Sequence, residues 1–120
     1  MQRTMLLSKI HKAKITETDL NYVGSITIDK HLLEESGILP NEKVEIYDID
    51  NGNRFATYVI EGKKNTGIIG INGAAARLVH KGDEVIIVNY GQLNDNELND
   101  FKATILVMNP KNEIKEKLQR

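Results

Sequence analysis

Lys30–His31–Leu32–Leu33–Glu34–Glu35–Ser36–Gly37–Ile38–Leu39–Pro40–Asn41–Glu42–Lys43–Val44–Glu45–Ile46 is the stretch that decides the fold. Asp29 can cap a short helix over Lys30–Ser36, with Leu32 and Leu33 facing inward and Gly37 ending it. A turn follows, then a strand over Lys43–Ile49 with Val44 and Ile46 at period two. The same order recurs downstream as a helix over Gly73–Lys81, then Gly82, then Asp83–Glu84–Val85–Ile86–Ile87. Working outward, strands are expected over Thr4–Lys14, Ser25–Asp29, Arg54–Ile60, Gly67–Ile71, Glu84–Tyr90 and Ala103–Met108. Asp95–Phe101 is read as a turn, and the polar tail Lys111–Arg120 as frayed or loosely helical. A strand–helix–turn–strand unit that occurs twice in a mainly β chain suggests a small closed barrel with short helices and pseudo-twofold symmetry. Closure removes the edges that many short strands would otherwise expose.

Bulk composition bounds the function. The chain has 120 residues, which suits a single domain over 1–120. A net charge of −1 lacks the basic footprint of a nucleic-acid binder, so no nucleic-acid partner is expected. There are no cysteines, which excludes disulfides, thiolate catalysis and cysteine-ligated metals. His11, His31 and His80 are too far apart for a metal-ligand motif, and no metal is expected. No apolar run approaches the ~20 residues that span a bilayer, and Met1–Leu7 is too short for a secretory signal. A cytoplasmic protein without a membrane partner is the expectation.

The segment richest in chemistry is Tyr22–Val23–Gly24–Ser25–Ile26–Thr27–Ile28–Asp29. Read alone, a Gly–Ser pair ahead of a strand marks a turn. It also has a reactive reading. Glycine leaves its carbonyl carbon open to a nucleophile, and its backbone tolerates strained angles. The next hydroxyl can attack that carbonyl and turn the amide into an ester. Elimination then releases the upstream chain, and hydrolysis leaves a pyruvoyl ketone at the new N-terminus.

Four segments in register carry a resemblance: Met5–His11, Tyr22–Asp29, Asn51–Ile60 and Ile71–Arg77. Over almost its whole length the chain resembles the pyruvoyl-dependent aspartate 1-decarboxylases. The resemblance implies a double-psi β-barrel, self-cleavage into residues 1–24 and 25–120, L-aspartate as substrate and β-alanine as product. It implies a homotetramer with sites between subunits, and a pyruvoyl group made from Ser25 in place of pyridoxal phosphate. That group forms an imine with the substrate amine and takes up the electrons that decarboxylation leaves behind.

The same resemblance assigns roles. Gly24, Ser25 and Thr57 take part in cleavage, Thr57 polarising the Gly24 carbonyl and touching substrate. Arg54 matches a carboxylate fork and Lys9 a second cation, which suits a dicarboxylate. Tyr58 matches a proton donor. Asn72, Gly73, Ala74 and Ala75 match a backbone cradle at a helix N-terminus, and Asn72 is expected to bond near the cleavage point. His11 shares a face with Lys9 if both lie on one strand. Arg54 and Tyr58 share a face, whereas Thr57 points the other way unless a bulge intervenes. The chain departs from the family pattern at Tyr47, where relatives carry Trp, and at Lys12, where they carry Arg. The segment Ser25–Val44 also resembles the AbrB-like swapped-hairpin DNA-binding regulators. A barrel used only as a binding module is a third reading.

Overall fold

The computed structural model describes residues 1–120. Its strands are β1 (Gln2–Lys14), β2 (Glu17–Asp19), β3 (Ser25–Asp29), β4 (Lys43–Asp48), β5 (Arg54–Gly62), β6 (Ile69–Asn72), β7 (Glu84–Asn94), β8 (Thr104–Met108) and β9 (Ile114–Gln119). One α-helix, α1 (Lys30–Ser36), and 3-10 helices at Gly73–Leu78 and Asp95–Glu97 complete the chain. Asp29 caps α1 through the His31 amide, and Gly37 ends it in the left-handed conformation at φ 82°, both as read from sequence. No helix is long and apolar enough to cross a membrane.

The strands pair in the order β2-β6-β3-β5-β4-β7-β1-β8-β9. β2 continues β1 through Ile15 and Thr16, so the row returns to the same stretch of chain and the barrel closes. Thr16 seals the join, its amide donating to the Ile69 carbonyl at 2.8 Å.

The repeated unit is a real symmetry. β5 pairs antiparallel with β4 and parallel with β3. The β1–β2 stretch likewise pairs antiparallel with β7 and parallel with β6. The crossing bonds match one for one. Asn41 N donates to Val59 O and Val59 N to Glu42 O; Gly82 N donates to Ile15 O and Ile15 N to Asp83 O. Two interlocked units of this kind make a double-psi β-barrel. Ile10, Ile26, Ile28, Ile46, Val59, Ile69, Ile71 and Ile87 fill its interior with no exposed surface. Burying each is worth roughly 1.5–3 kcal/mol.

The symmetry also repeats a buried polar lock. Asn89 Nδ2 donates to Glu42 Oε2 at 3.0 Å. At the equivalent place Asp48 faces Asp83, carboxyl to carboxyl, so that contact needs a shared proton. Burial, then the Asp83 hydrogen bond, pushes Asp48 up to about 6. The same bond holds Asp83 below its ordinary value of 3.8. A raised folded pKa gives stability that is complete below the unfolded value and lost as pH rises through about 6. Below the ordinary value, protonation of Asp83 works in the opposite direction. Asp48→Asn copies the Asn89 lock and is expected to stabilise the protein by roughly 1–3 kcal/mol at neutral pH. Melting curves at pH 5 and pH 7.5 check this: the gain belongs mainly at the higher pH, and an equal gain at both is contrary to a shared proton.

Two sequence expectations are corrected. The tail is neither frayed nor helical: it turns at Asn109–Asn112 and returns as β9 along β8. Asn112, buried and at φ 58°, ties the turn to the barrel by donating to the Lys14 and Gly67 carbonyls at 2.7 Å. Charged residues on β9 suit an unpaired edge, so polarity there marked an edge strand. The second helix is only the 3-10 helix Gly73–Leu78, and Val79 is already extended.

Candidate active site

Ser25 opens β3 with no exposed surface. The antiparallel register sets it beside Asn72. Its Oγ donates to the Val23 carbonyl at 3.2 Å and accepts from Asn72 Nδ2 at 2.9 Å. The same amide donates to Thr27 Oγ1 at 3.1 Å. Asn72 therefore does not cap the helix that follows it. Two contacts on one hydroxyl fix the serine rotamer beside the Gly24–Ser25 bond.

Gly73 packs directly on Gly24. A Cβ at Gly73 would lie 2.6 Å from Gly24 Cα and 2.9 Å from Gly24 N, and its φ is 76°. Only glycine permits both the approach and the angle. Ala74 is exposed and Ala75 half-buried on the next turn. Six residues of 3-10 helix carry little macrodipole, so an anion there would depend on individual N–H groups. Extending the parallel pair Ile26–Val59 back two residues brings Thr57 level with Gly24. A cavity of about 370 Å³ adjoins this end of β3, lined by Glu17, Thr18, Asp19, Tyr22, Thr27 and Asn72. Its lining holds two carboxylates and no cation.

The cations lie on a different surface. β5 pairs with β4 without a bulge, so Thr57 faces inward with Phe55 and Val59 while Arg54 and Tyr58 face out. The bulge that could have brought them together is absent. His11, Ile86, Tyr47 and Arg54 form one row across β1, β7, β4 and β5, and Lys9, Val88, Glu45 and Ala56 form a neighbouring row. Lys9 and Arg54 thus share the outer face, but β7 and β4 lie between their strands, and the three strand spacings put the backbones roughly 14 Å apart. Only long side chains reaching toward each other can converge on one ligand.

The guanidinium of Arg54 lies 3.7 Å from the centre of the Tyr47 ring. The Tyr47 and Tyr90 hydroxyls are 3.1 Å apart. Burial, then the charges of Lys9 and Lys12, pushes the His11 pKa down, and its Nδ1 is buried without a partner. A neutral His11 leaves the face's positive charge on Lys9, Lys12 and Arg54. Lys12 takes φ 65° at a register shift between His11 and Ala13 and stays exposed. The sequence reading missed Tyr90, for which no motif gave a signal. It also missed Thr27, which lies inside the quoted Tyr22–Asp29 segment and whose place beside Asn72 follows from register.

A closed barrel with a Gly–Ser junction at one strand end, its serine buried, and a cationic outer face defines the class. The chain matches the model of the aspartate decarboxylase family over residues 1–115, and it belongs to that family. It is 59% identical over 114 residues to the aspartate 1-decarboxylase of Clostridium botulinum strain Langeland, covering 95% of this chain and 90% of that one. It is 58% identical over 113 residues to the aspartate 1-decarboxylase of Clostridium beijerinckii, covering 94% and 91%. It is 56% identical over 116 residues to that of Staphylococcus carnosus, covering 97% and 91%. A rationally designed protein of known crystal structure overlaps 64% of this chain and 90% of its own, at TM-score 0.48 and 18% identity. At that level it adds nothing to the fold, which the strand pairing defines. The resemblance to DNA-binding regulators falls on β3, α1 and the start of β4, which here are one of the barrel's two repeated units.

Proposed function

We propose that the chain is an aspartate 1-decarboxylase that cuts itself between Gly24 and Ser25 and works through the pyruvoyl group so formed. Aspartate decarboxylation follows from membership of the family over residues 1–115. The observation that carries self-cleavage is the buried Ser25 hydroxyl, gripped by Asn72 while Gly73 packs on Gly24. An ordinary surface turn needs neither contact.

In the proposed cleavage Ser25 Oγ bonds to the Gly24 carbonyl carbon, the peptide C–N bond breaks, and the hydroxyl proton ends on the freed nitrogen. Loss of the Ser25 Cα proton then expels the Gly24 carboxylate from Cβ. Water replaces the nitrogen and ammonia leaves, giving residues 1–24 and a ketone-capped 25–120. Extending the β3–β5 register by two residues sets Thr57 level with Gly24, which supports a role for its hydroxyl in polarising that carbonyl. Thr57→Val is expected to leave most of the chain uncut, read as the intact fraction on a denaturing gel. Efficient cutting would remove Thr57 from this step.

The residues around Ser25 fit such a group, because Asn72 and the Gly73 backbone already enclose that spot. When formed, the pyruvoyl ketone binds the substrate amine and takes up the electron pair released with CO₂. Arg54 and Lys9 hold the two substrate carboxylates, and Tyr58 returns a proton to the α-carbon. Tyr58→Phe is expected to self-cleave yet decarboxylate about 10²- to 10⁴-fold more slowly, as measured by β-alanine release. A native rate rules Tyr58 out as donor.

A dianionic substrate does not suit the acidic cavity beside Ser25 in a single chain. In the proposed homotetramer, with sites between subunits, the outer face of a second copy supplies the missing cations. A cytoplasmic location without a nucleic-acid or membrane partner belongs to the same reading, as does the absence of a metal or pyridoxal phosphate requirement. Mass spectrometry of purified protein tests the proposal. Two pieces, Met1–Gly24 and a 25–120 piece lacking its amino nitrogen, are expected; a single intact chain with salt-sensitive DNA affinity favours the regulator instead.

A further inference from the structure

Arg54 forms no ion pair within the chain; the salt bridges join Arg3 to Asp95, Lys64 to Glu34 and Lys117 to Glu35. Its only recorded partner is the flat ring of Tyr47, directly opposite on β4. Stacking engages the face of a guanidinium and leaves its N–H donors free in the plane. The ring is itself held. If Tyr47 donates to Glu45 Oε2, at 3.4 Å, then Tyr90 donates to the Tyr47 oxygen at 3.1 Å. The long bond is weak, so Tyr90 is the main anchor. Tyr90 stands on β7, and Tyr47 pairs with Ile86 two turns of the pleat away on the same strand.

We propose that Tyr47, anchored by Tyr90, is a positioning residue that lays the Arg54 guanidinium flat so that its edge meets a substrate carboxylate. The proposal rests on Arg54 as the carboxylate-binding group. The Tyr90 bond, then burial, pushes the Tyr47 phenol up to about 12, so the ring stays neutral throughout the working range. A Trp at this position keeps a flat face without the hydroxyl. Tyr47→Trp therefore preserves the stack, Tyr47→Ala removes it, and Tyr90→Phe or Tyr47→Phe loosens it.

The test uses self-cleaved protein and two readouts: KM and kcat for aspartate, and calorimetric affinity for succinate. Succinate has both carboxylates but no amine, so it binds without reacting. Tyr47→Ala is expected to raise both KM and the succinate Kd by about 3- to 30-fold with kcat little changed. Tyr47→Trp restores both, and Tyr90→Phe gives a smaller loss of the same kind. In an Arg54→Lys background, Tyr47→Ala adds no further loss. Unchanged succinate affinity in Tyr47→Ala, while Arg54→Ala destroys it, overturns the positioning role and leaves Arg54 standing. Unchanged affinity in both overturns the two together. A full additional loss in the Arg54→Lys background also overturns it, because Tyr47 would then act independently. Should Tyr47→Ala fail to fold, Tyr90→Phe carries the test, since Tyr90 is 42% exposed and outside the core.

Discussion

Arg54→Ala is expected to cost about 2–5 kcal/mol of transition-state binding, a fall in kcat/KM of about 30- to 5,000-fold. The size follows from what the guanidinium offers. Its fork has no ion-pair partner within the chain and lies flat on Tyr47, so its N–H donors are available to an oxygen pair. Removing it leaves one substrate carboxylate without its charged partner, and water compensates only in part. The loss falls mainly on KM, because the carboxylate is held before as well as during reaction. Self-cleavage should proceed normally, since Arg54 faces away from the barrel interior, on the side opposite Thr57. Steady-state kinetics and the extent of cutting separate the two steps. A variant that turns over aspartate normally takes Arg54 out of the site.

Gly73→Ala is expected to leave the chain uncut. The added Cβ meets Gly24 Cα at 2.6 Å and Gly24 N at 2.9 Å, both backbone atoms that cannot swing aside. Either strand end must move, and the Ser25–Asn72 hydrogen bond moves with it. The positive φ adds roughly 1–2 kcal/mol of strain. Gly82→Ala is the control. It carries the same kind of strain at φ 95°, but nothing lies within 4 Å of its Cβ. The pair thus separates backbone strain from the collision at the cleavage point. The intact fraction in a mass spectrum should rise for Gly73→Ala and stay near native for Gly82→Ala. Native cutting in both removes Gly73 from the account of cleavage.

Much of the barrel was legible because its core strands alternate cleanly. Ile26 and Ile28, Val44 and Ile46, and the run Val85–Val88 announced buried faces, and the Gly37 and Gly82 echo announced the repeat. What escaped depended on partners far away in sequence. β2 has three exposed residues and exists only because β6 lies beside it. β9 is polar for the same reason that it is an edge, so local composition pointed to fraying. At the stop after Leu78 the Leu78 carbonyl accepts from Asn51 Nδ2 and Asn53 Nδ2, partners that no helix propensity in Gly73–Lys81 reveals. At the site, alternation along Arg54–Tyr58 already implied that Thr57 and Tyr58 face apart. The structure keeps them apart within one chain, Thr57 toward the barrel interior and Tyr58 on the outer face. The Arg54–Tyr47–Tyr90 contact was invisible in sequence because it joins three strands through register alone.

Reductive trapping addresses the chemistry most directly. Borohydride added to freshly matured protein with aspartate should attach the substrate covalently at residue 25, raising the mass of the 25–120 piece and abolishing activity. A 25–120 piece of unchanged mass, still bearing an ordinary serine amine, contradicts a self-made ketone as the reactive group.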